Sequence, residues 1–227
     1  RLIALMKLKL LYVLRHGQTE WNVQRRMQGR LNSPLTAEGR TQADAHGKVL
    51  KQLGGVDKLW VSTAGRTKQT AELVNAHLQA PVEYSEDLVE RDCGIWSGKT
   101  LSEVEQEDGE GLLALRADPY GYRAGGGENL ADLANRVAPV FPRIKSVERA
   151  AIISHGIVTK AVLEHFLQLS PDEVIRITHP NDLFFRLSFS DEGQSCDRFA
   201  LSESGSGRPQ CGPFVNDAAP MQPIQSE

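Results

Sequence analysis

Apolar positions along the chain fall into two rhythms, one of strands and one of helices. Leu8-Lys9-Leu10-Leu11-Tyr12-Val13-Leu14 is a short, largely apolar run, the pattern of a strand buried on both faces. The stretch from Gly17 to Pro34 is polar and irregular. Thr36 then stands as an N-cap, Gly39, Ala43, His46, Leu50 and Leu53 recur at helical spacing, and Gly54-Gly55 stops the helix. Lys58 to Ser62 reads as a second strand. Thr67, Ala71, Val74 and Leu78 mark the inner face of a second helix that ends near Pro81, and Val82 to Tyr84 is a brief third strand. Gly98 to Gly127, rich in glycine and acids, imposes no regular structure on most of its length, although its acidic run Glu103-Glu105-Glu107-Asp108-Glu110 reads as a solvated helix face without the spacing of a hard-metal site. Leu130, Leu133, Val137, Phe141 and Ile144 share one side of a third helix, which Pro139 and Pro142 should kink or shorten.

Ala150 to Ser154 forms another buried strand, followed by an apolar helix through Leu169. Leu183, Phe185, Leu187 and Phe189 alternate with Phe184, Arg186 and Ser188; with the Asp191-Glu192-Gly193 turn and Cys196 to Leu201 they predict a hairpin. Strands alternating with helices give an α/β fold. It has three layers, a mainly parallel sheet with helices on both faces and a late antiparallel hairpin. Residues 1–201 form a single domain, and the Ser, Gly, Pro and Gln content of 202–227 predicts a disordered tail. In such sheets ligands bind beyond the carboxyl ends of the strands. Arg15-His16-Gly17 follows one strand and His155-Gly156 another, so two histidines reach the same rim.

Composition narrows the function. The chain has 227 residues, 40% hydrophobic and 24% charged, with a formal net charge of −3. No basic field draws nucleic acid to it. Cys93, Cys196 and Cys211 are odd in number and widely spaced, which fits neither a disulfide framework nor a structural zinc site. Lys7 and Lys9 interrupt the apolar start, no small-residue cleavage site follows, and Met6 is a plausible natural start. No run approaches the ~20 apolar residues of a membrane span. The expectation is a cytoplasmic protein that needs no cofactor and no metal and meets neither membrane nor nucleic acid.

The rim residues suggest phosphoryl chemistry. A phosphate monoester carries close to two negative charges, so its pocket needs fixed cations, an in-line nucleophile and an acid for the leaving oxygen. Neutral imidazole at His16 can attack phosphorus and later leave it, and a nearby Arg15 or Arg66 would keep it neutral.

Leu14-Arg15-His16-Gly17-Gln18-Thr19-Glu20-Trp21-Asn22 resembles the signature of the histidine phosphatase superfamily, in its phosphoglycerate mutase-like branch. Gln28-Gly29, Ser33 to Gly39, Ser62 to Ala71, Glu90 to Gly98, Gly127 to Leu130 and Ser154-His155-Gly156 continue the resemblance in order, roughly from Leu8 to Phe189. It implies a phosphoglycerate mutase-like fold and a small phosphorylated substrate. It also implies roles: His16 the phosphoacceptor, Arg15, Arg66 and His155 the phosphoryl-binding groups, Glu90 the general acid and base. Asn22, Gln28, Gly29 and Gly156 align with substrate-contacting positions.

Departures are few. Gln18 replaces a common glutamate, and Ala64 and Gly65 are smaller than usual before the arginine, which would loosen Arg66; Cys93 packs or lines the pocket. Three functions fit the scaffold: a phosphatase, a cofactor-dependent mutase, and an inactive binding protein. A mutase of the family uses a lysine soon after the acid motif and an adjacent arginine pair. Here Leu101 holds the lysine's place, Lys99 is offset, and Arg116 and Arg123 are separated, which favours hydrolysis of phosphate monoesters. Inactive members lose nucleophile or acid, and both His16 and Glu90 are present. A homodimer stays open, as do the substrate and the role of His179.

Overall fold

The computed structural model describes residues 7–201 and 207–210. The expected start at Met6 lies outside these, as do positions 202–206 and 211–227 of the expected tail. In chain order the elements are β1 (Leu10–Arg15), α1 (Glu20–Val23), α2 (Ala37–Gln52), β2 (Lys58–Ser62), α3 (Gly65–Leu78), β3 (Val82–Ser85), α4 (Leu101–Glu107), α5 (Gly109–Ala117), α6 (Leu130–Val137), α7 (Phe141–Ile144), β4 (Arg149–Ser154), α8 (Gly156–Leu167), α9 (Pro171–Val174), β5 (Leu183–Ser190), β6 (Gly193–Leu201) and β7 (Gly207–Gln210).

The sheet runs β3-β2-β4-β1-β5-β6-β7. β3, β2, β4 and β1 are mutually parallel, and β5, β6 and β7 continue the sheet antiparallel. This is the expected α/β architecture, with one addition: the backbone of β7 extends the hairpin by pairing with β6.

Side chains of β1 alternate between the two faces. Leu11 and Val13 join Trp60, Ile152 and Phe185 beneath α6, α7 and α8. Tyr12 and Leu14 join Leu59, Val61, Ile153 and Phe184 beneath α2 and α3. Each aliphatic side chain buried this way contributes about 1.5–3 kcal/mol, so both faces of the central strands are held. The register pairs Val13 with Ile152 and Arg15 with Ser154. β1 and β4 therefore end level, and His16 and His155 emerge side by side.

Three expectations shift. The segment 98–127 is largely helical, because Thr100 and Glu103 form a capping box and Asp108 caps α5. Its Val104, Leu112 and Leu115 pack with Met27, Cys93 and Trp96 in a small separate core. The third helix breaks as its prolines demand: α6 passes through a 3₁₀ turn at Ala138–Val140 into α7, with a proline opening each piece. α8 stops at Leu167, where Gln168 turns left-handed at φ 55°.

Candidate active site

Backbone geometry delivers His16 to the rim. Its N–H donates to the Ser154 carbonyl at 3.0 Å, extending the β1–β4 ladder by one residue. The next residue, Gly17, touches the entry of α2: a Cβ on Gly17 would lie 2.1 Å from the Gly39 carbonyl oxygen. Only glycine permits this backbone-on-backbone approach.

His16 Nδ1 lies 2.8 Å from the Gly17 carbonyl. A carbonyl only accepts, so Nδ1 carries the proton and Nε2 presents a lone pair. The ring is 2% exposed and meets the His155 ring edge to face, centroids 5.4 Å apart. Burial, then the charges of Arg66 and Arg15, hold the His16 imidazole well below its ordinary range. Burial and the same arginines, with His16, do likewise for His155. Both rings are neutral at ordinary pH.

Arg66 is the second residue of α3 and is 1% exposed. Its Nη1 donates to the Leu31 carbonyl at 2.6 Å and its Nη2 to the Gly29 carbonyl at 2.9 Å. Its own N–H is capped by Asn32 Oδ1 at 2.9 Å. The small residues before Arg66 do not loosen it: a Cβ on Gly65 would lie 2.7 Å from Asn32 Nδ2, so glycine admits the capping amide. Arg15 sends Nη1 to the His179 carbonyl at 2.8 Å. Burial lowers the Arg66 guanidinium to about 10, against the opposing pull of Glu90.

Glu90 is 5% exposed. Its Oε1 accepts from the Arg91 N–H at 2.7 Å, and its Oε2 from the Ile157 N–H at 3.3 Å. It thereby caps α8, whose N-cap His155 makes no side-chain capping bond, through oxygens that can accept these N–H groups whether or not the carboxyl carries a proton. Arg136 Nη2 donates to the Glu90 carbonyl at 3.3 Å and is itself gripped by Glu128.

Arg15 Nε, Arg66 Nε and His155 Nδ1 are buried and, among the described residues, have no hydrogen-bond partner. A buried polar group left unpaired costs about 1–3 kcal/mol. These three belong to groups whose charge or ring bears directly on the His16 imidazole, so hydrogen-bonding capacity beside His16 is left unused by the described residues.

The structure thus brings together His16, Arg15, Arg66, His155 and Glu90. It employs the other predicted residues as supports. Gly29 lends its carbonyl to Arg66, and Gly156 is the first residue of α8. Gln28 spends Nε2 on Thr19 and Oε1 on Ser33. Asn22 Oδ1 caps α1 through Thr19. Cys93 packs beside Met27 and Trp96. His46 lies in α2 edge-on to Phe184 and is lowered by burial to about 4, and His165 stacks on Phe141.

Sequence reasoning missed Ser62, whose hydroxyl lies 2.8 Å from His155 Nε2, and Thr70, whose hydroxyl accepts from the Gly17 N–H at 3.1 Å. Ser62 ends β2, and a polar residue ending a buried strand beside β4 is the signal that marks it.

Among the described residues no cluster of three metal-binding side chains occurs, and no helix is long and apolar enough to cross a membrane.

Known proteins resemble this chain in sequence and in fold. The histidine phosphatase superfamily (branch 1) matches residues 11–202. The probable phosphoglycerate mutase GpmB of Salmonella paratyphi B is 31% identical over 197 residues, 86% of this chain and 91% of that protein. Mycobacterial glucosyl-3-phosphoglycerate phosphatase, solved with VO3, superposes with a TM-score of 0.73 at 26% identity, covering 83% of this chain and 97% of that one. The alpha-ribazole phosphatase from Shigella flexneri shares the fold, with a TM-score of 0.74 at 23% identity over 82% of this chain and 93% of that one. Matched over most of its length in motif and in topology, the chain belongs to the histidine phosphatase superfamily, branch 1.

Proposed function

We propose that this protein hydrolyses phosphate monoesters of small molecules through a phosphohistidine on His16, with Glu90 as general acid and base. The observation that carries the reading is the set of three buried, unpartnered donors, Arg15 Nε, Arg66 Nε and His155 Nδ1. They are suited to the oxygens of a phosphoryl group, whose charge they stabilise as it spreads in the transition state.

In the first step Glu90 enters as the neutral acid: His16 Nε2 attacks phosphorus, the N–P bond forms, the ester P–O bond breaks, and Glu90 gives its proton to the leaving oxygen. In the second, Glu90 takes a proton from water, the water oxygen bonds to phosphorus, and the N–P bond breaks to release phosphate. The proton held on Nδ1 by the Gly17 carbonyl keeps the lone pair on Nε2 throughout the approach. His155, accepting from Ser62 through Nε2, offers its Nδ1–H to the phosphoryl group.

Hydrolysis is favoured over a mutase reaction by the cations of the insertion. Lys99 pairs with Glu107, Arg123 pairs with Asp132, and Arg116 is exposed on α5. Two of the three are thus already engaged by carboxylates, which supports hydrolysis. The test is turnover of p-nitrophenyl phosphate in EDTA, beside incubation with 3-phosphoglycerate and its bisphosphate. Nitrophenol release, lost in His16→Ala, and an acid-labile, base-stable phosphoprotein trapped by rapid quench are expected. Isomerisation without hydrolysis would assign the mutase reaction, and silence in both assays a binding role.

A further inference from the structure

The loop between α9 and β5 reaches the site from behind. Asn181 Nδ2 donates to the His16 carbonyl at 2.8 Å, and the His179 carbonyl accepts Arg15 Nη1 at 2.8 Å. His179 is itself fixed. Its Nε2 donates to the Leu183 carbonyl at 2.8 Å, and its Nδ1 lies 2.7 Å from the Thr159 hydroxyl on α8. The ring stands edge to face with Phe185, centroids 4.9 Å apart, and is 2% exposed. The loop is thus tied to β5 and α8 and, through them, to the core.

The peptide joining His16 to Gly17 is held at both ends. Its carbonyl takes the Asn181 amide, and its N–H goes to the Thr70 hydroxyl at 3.1 Å. Rotation of that peptide would turn the backbone that carries the His16 ring and would shift the Gly17 carbonyl that holds Nδ1. Neither Asn181 nor His179 needs to touch the phosphoryl group to matter. A nucleophile must sit in line with the leaving oxygen, and a displacement of about 1 Å costs on the order of a hundredfold in rate.

We propose that His179 and Asn181 are positioning residues of the phosphoryl site, with the Asn181 amide setting the His16 peptide and the His179 carbonyl aiming Arg15. The inference rests on the phosphohistidine reading above. Inactivity of the unmodified chain toward p-nitrophenyl phosphate would therefore count against that reading, while an active parent makes the variants decisive.

The test is steady-state kinetics of Asn181→Ala, Asn181→Asp and Thr70→Val in the full chain, with thermal unfolding measured alongside. Asn181→Ala is expected to fold and to lose about 10- to 100-fold in kcat with KM changed less than about threefold. Asn181→Asp is expected to lose at least as much, because a carboxylate faces the carbonyl oxygen. It is also expected to move the acid limb of kcat/KM to higher pH, since a negative charge beside His16 favours its protonated form. The groups that already face His16 are Arg15, Arg66, His155 and His179, and none of them holds a proton on it. Thr70→Val, which frees the other end of the same peptide, should repeat the loss in kcat. A folded Asn181→Ala within about threefold of the parent in kcat overturns the proposal. So does an unmoved acid limb in Asn181→Asp, and failure of all three variants to fold would reduce the loop to a structural role.

Discussion

Arg66→Lys separates charge from geometry at the proposed phosphoryl site. The Arg66 fork holds the Leu31 and Gly29 carbonyls with its two terminal nitrogens and leaves Nε buried without a partner. A lysine keeps the positive charge but has a single nitrogen on a flexible stem. It must abandon a carbonyl or the anion. Each charge-assisted bond forgone in the resting enzyme is worth about 1.5–3 kcal/mol, so the loop carrying Gly29 and Leu31 should loosen and the unfolding midpoint fall. The larger effect is kinetic: losing a preorganised donor at developing charge costs about 2.7–4 kcal/mol, or ~10²–10³ in kcat. Because the missing contact strengthens as charge spreads, kcat should fall more than KM rises. The assay is p-nitrophenyl phosphate hydrolysis, with circular dichroism as the check on folding. A folded Arg66→Lys retaining more than about a third of the parent kcat/KM would show that charge alone suffices and would refute the argument from the fork.

Two further outcomes follow from the packing. Gly17→Ala places a Cβ 2.1 Å from the Gly39 oxygen, so loop and α2 must separate by roughly 1 Å; kcat/KM should drop about a hundredfold. Gly109→Ala, at a position open to 4 Å, should leave activity unchanged, and equal losses in the two variants would discredit the steric account. In acid, stability should fall as pH drops below about 6.5, the unfolded imidazole value. His16 and His155 are held well below that value, His46 at about 4 and His179 at about 3, all chiefly by burial. Their folded forms resist protons that the unfolded chain accepts, so stability is complete above pH ~6.5 and is lost toward the folded values. The loss is up to about 1.4 kcal/mol per pH unit for each histidine. Urea midpoints that stay flat from pH 6.5 to 4.5 would contradict this.

Much of the fold was legible in local pattern. β2 runs from Lys58 to Ser62 as its apolar run indicates, Thr36 caps α2, and Pro139 and Pro142 break the third helix. Of α4 and α5, only the acidic run from Glu103 to Glu110 was legible, as a solvated helix face. They are short, and their apolar residues face a local cluster with Met27, Cys93 and Trp96 rather than the sheet, so no long periodic stripe betrays them.

For the site, the sequence alone determined which chemistry was on hand: imidazoles after two strands, arginines beside them, and a glutamate in a recognisable segment. It could not say that Glu90 caps α8 through the Ile157 N–H, that Arg66 is moored to Leu31 and Gly29, or that Asn181 holds the His16 carbonyl. Those facts join residues 67, 35, 37 and 165 positions apart. Hydrophobic periodicity reports on neighbours a few residues away. Which donors end up buried without partners is decided only when strand register and layer packing bring distant segments to one rim.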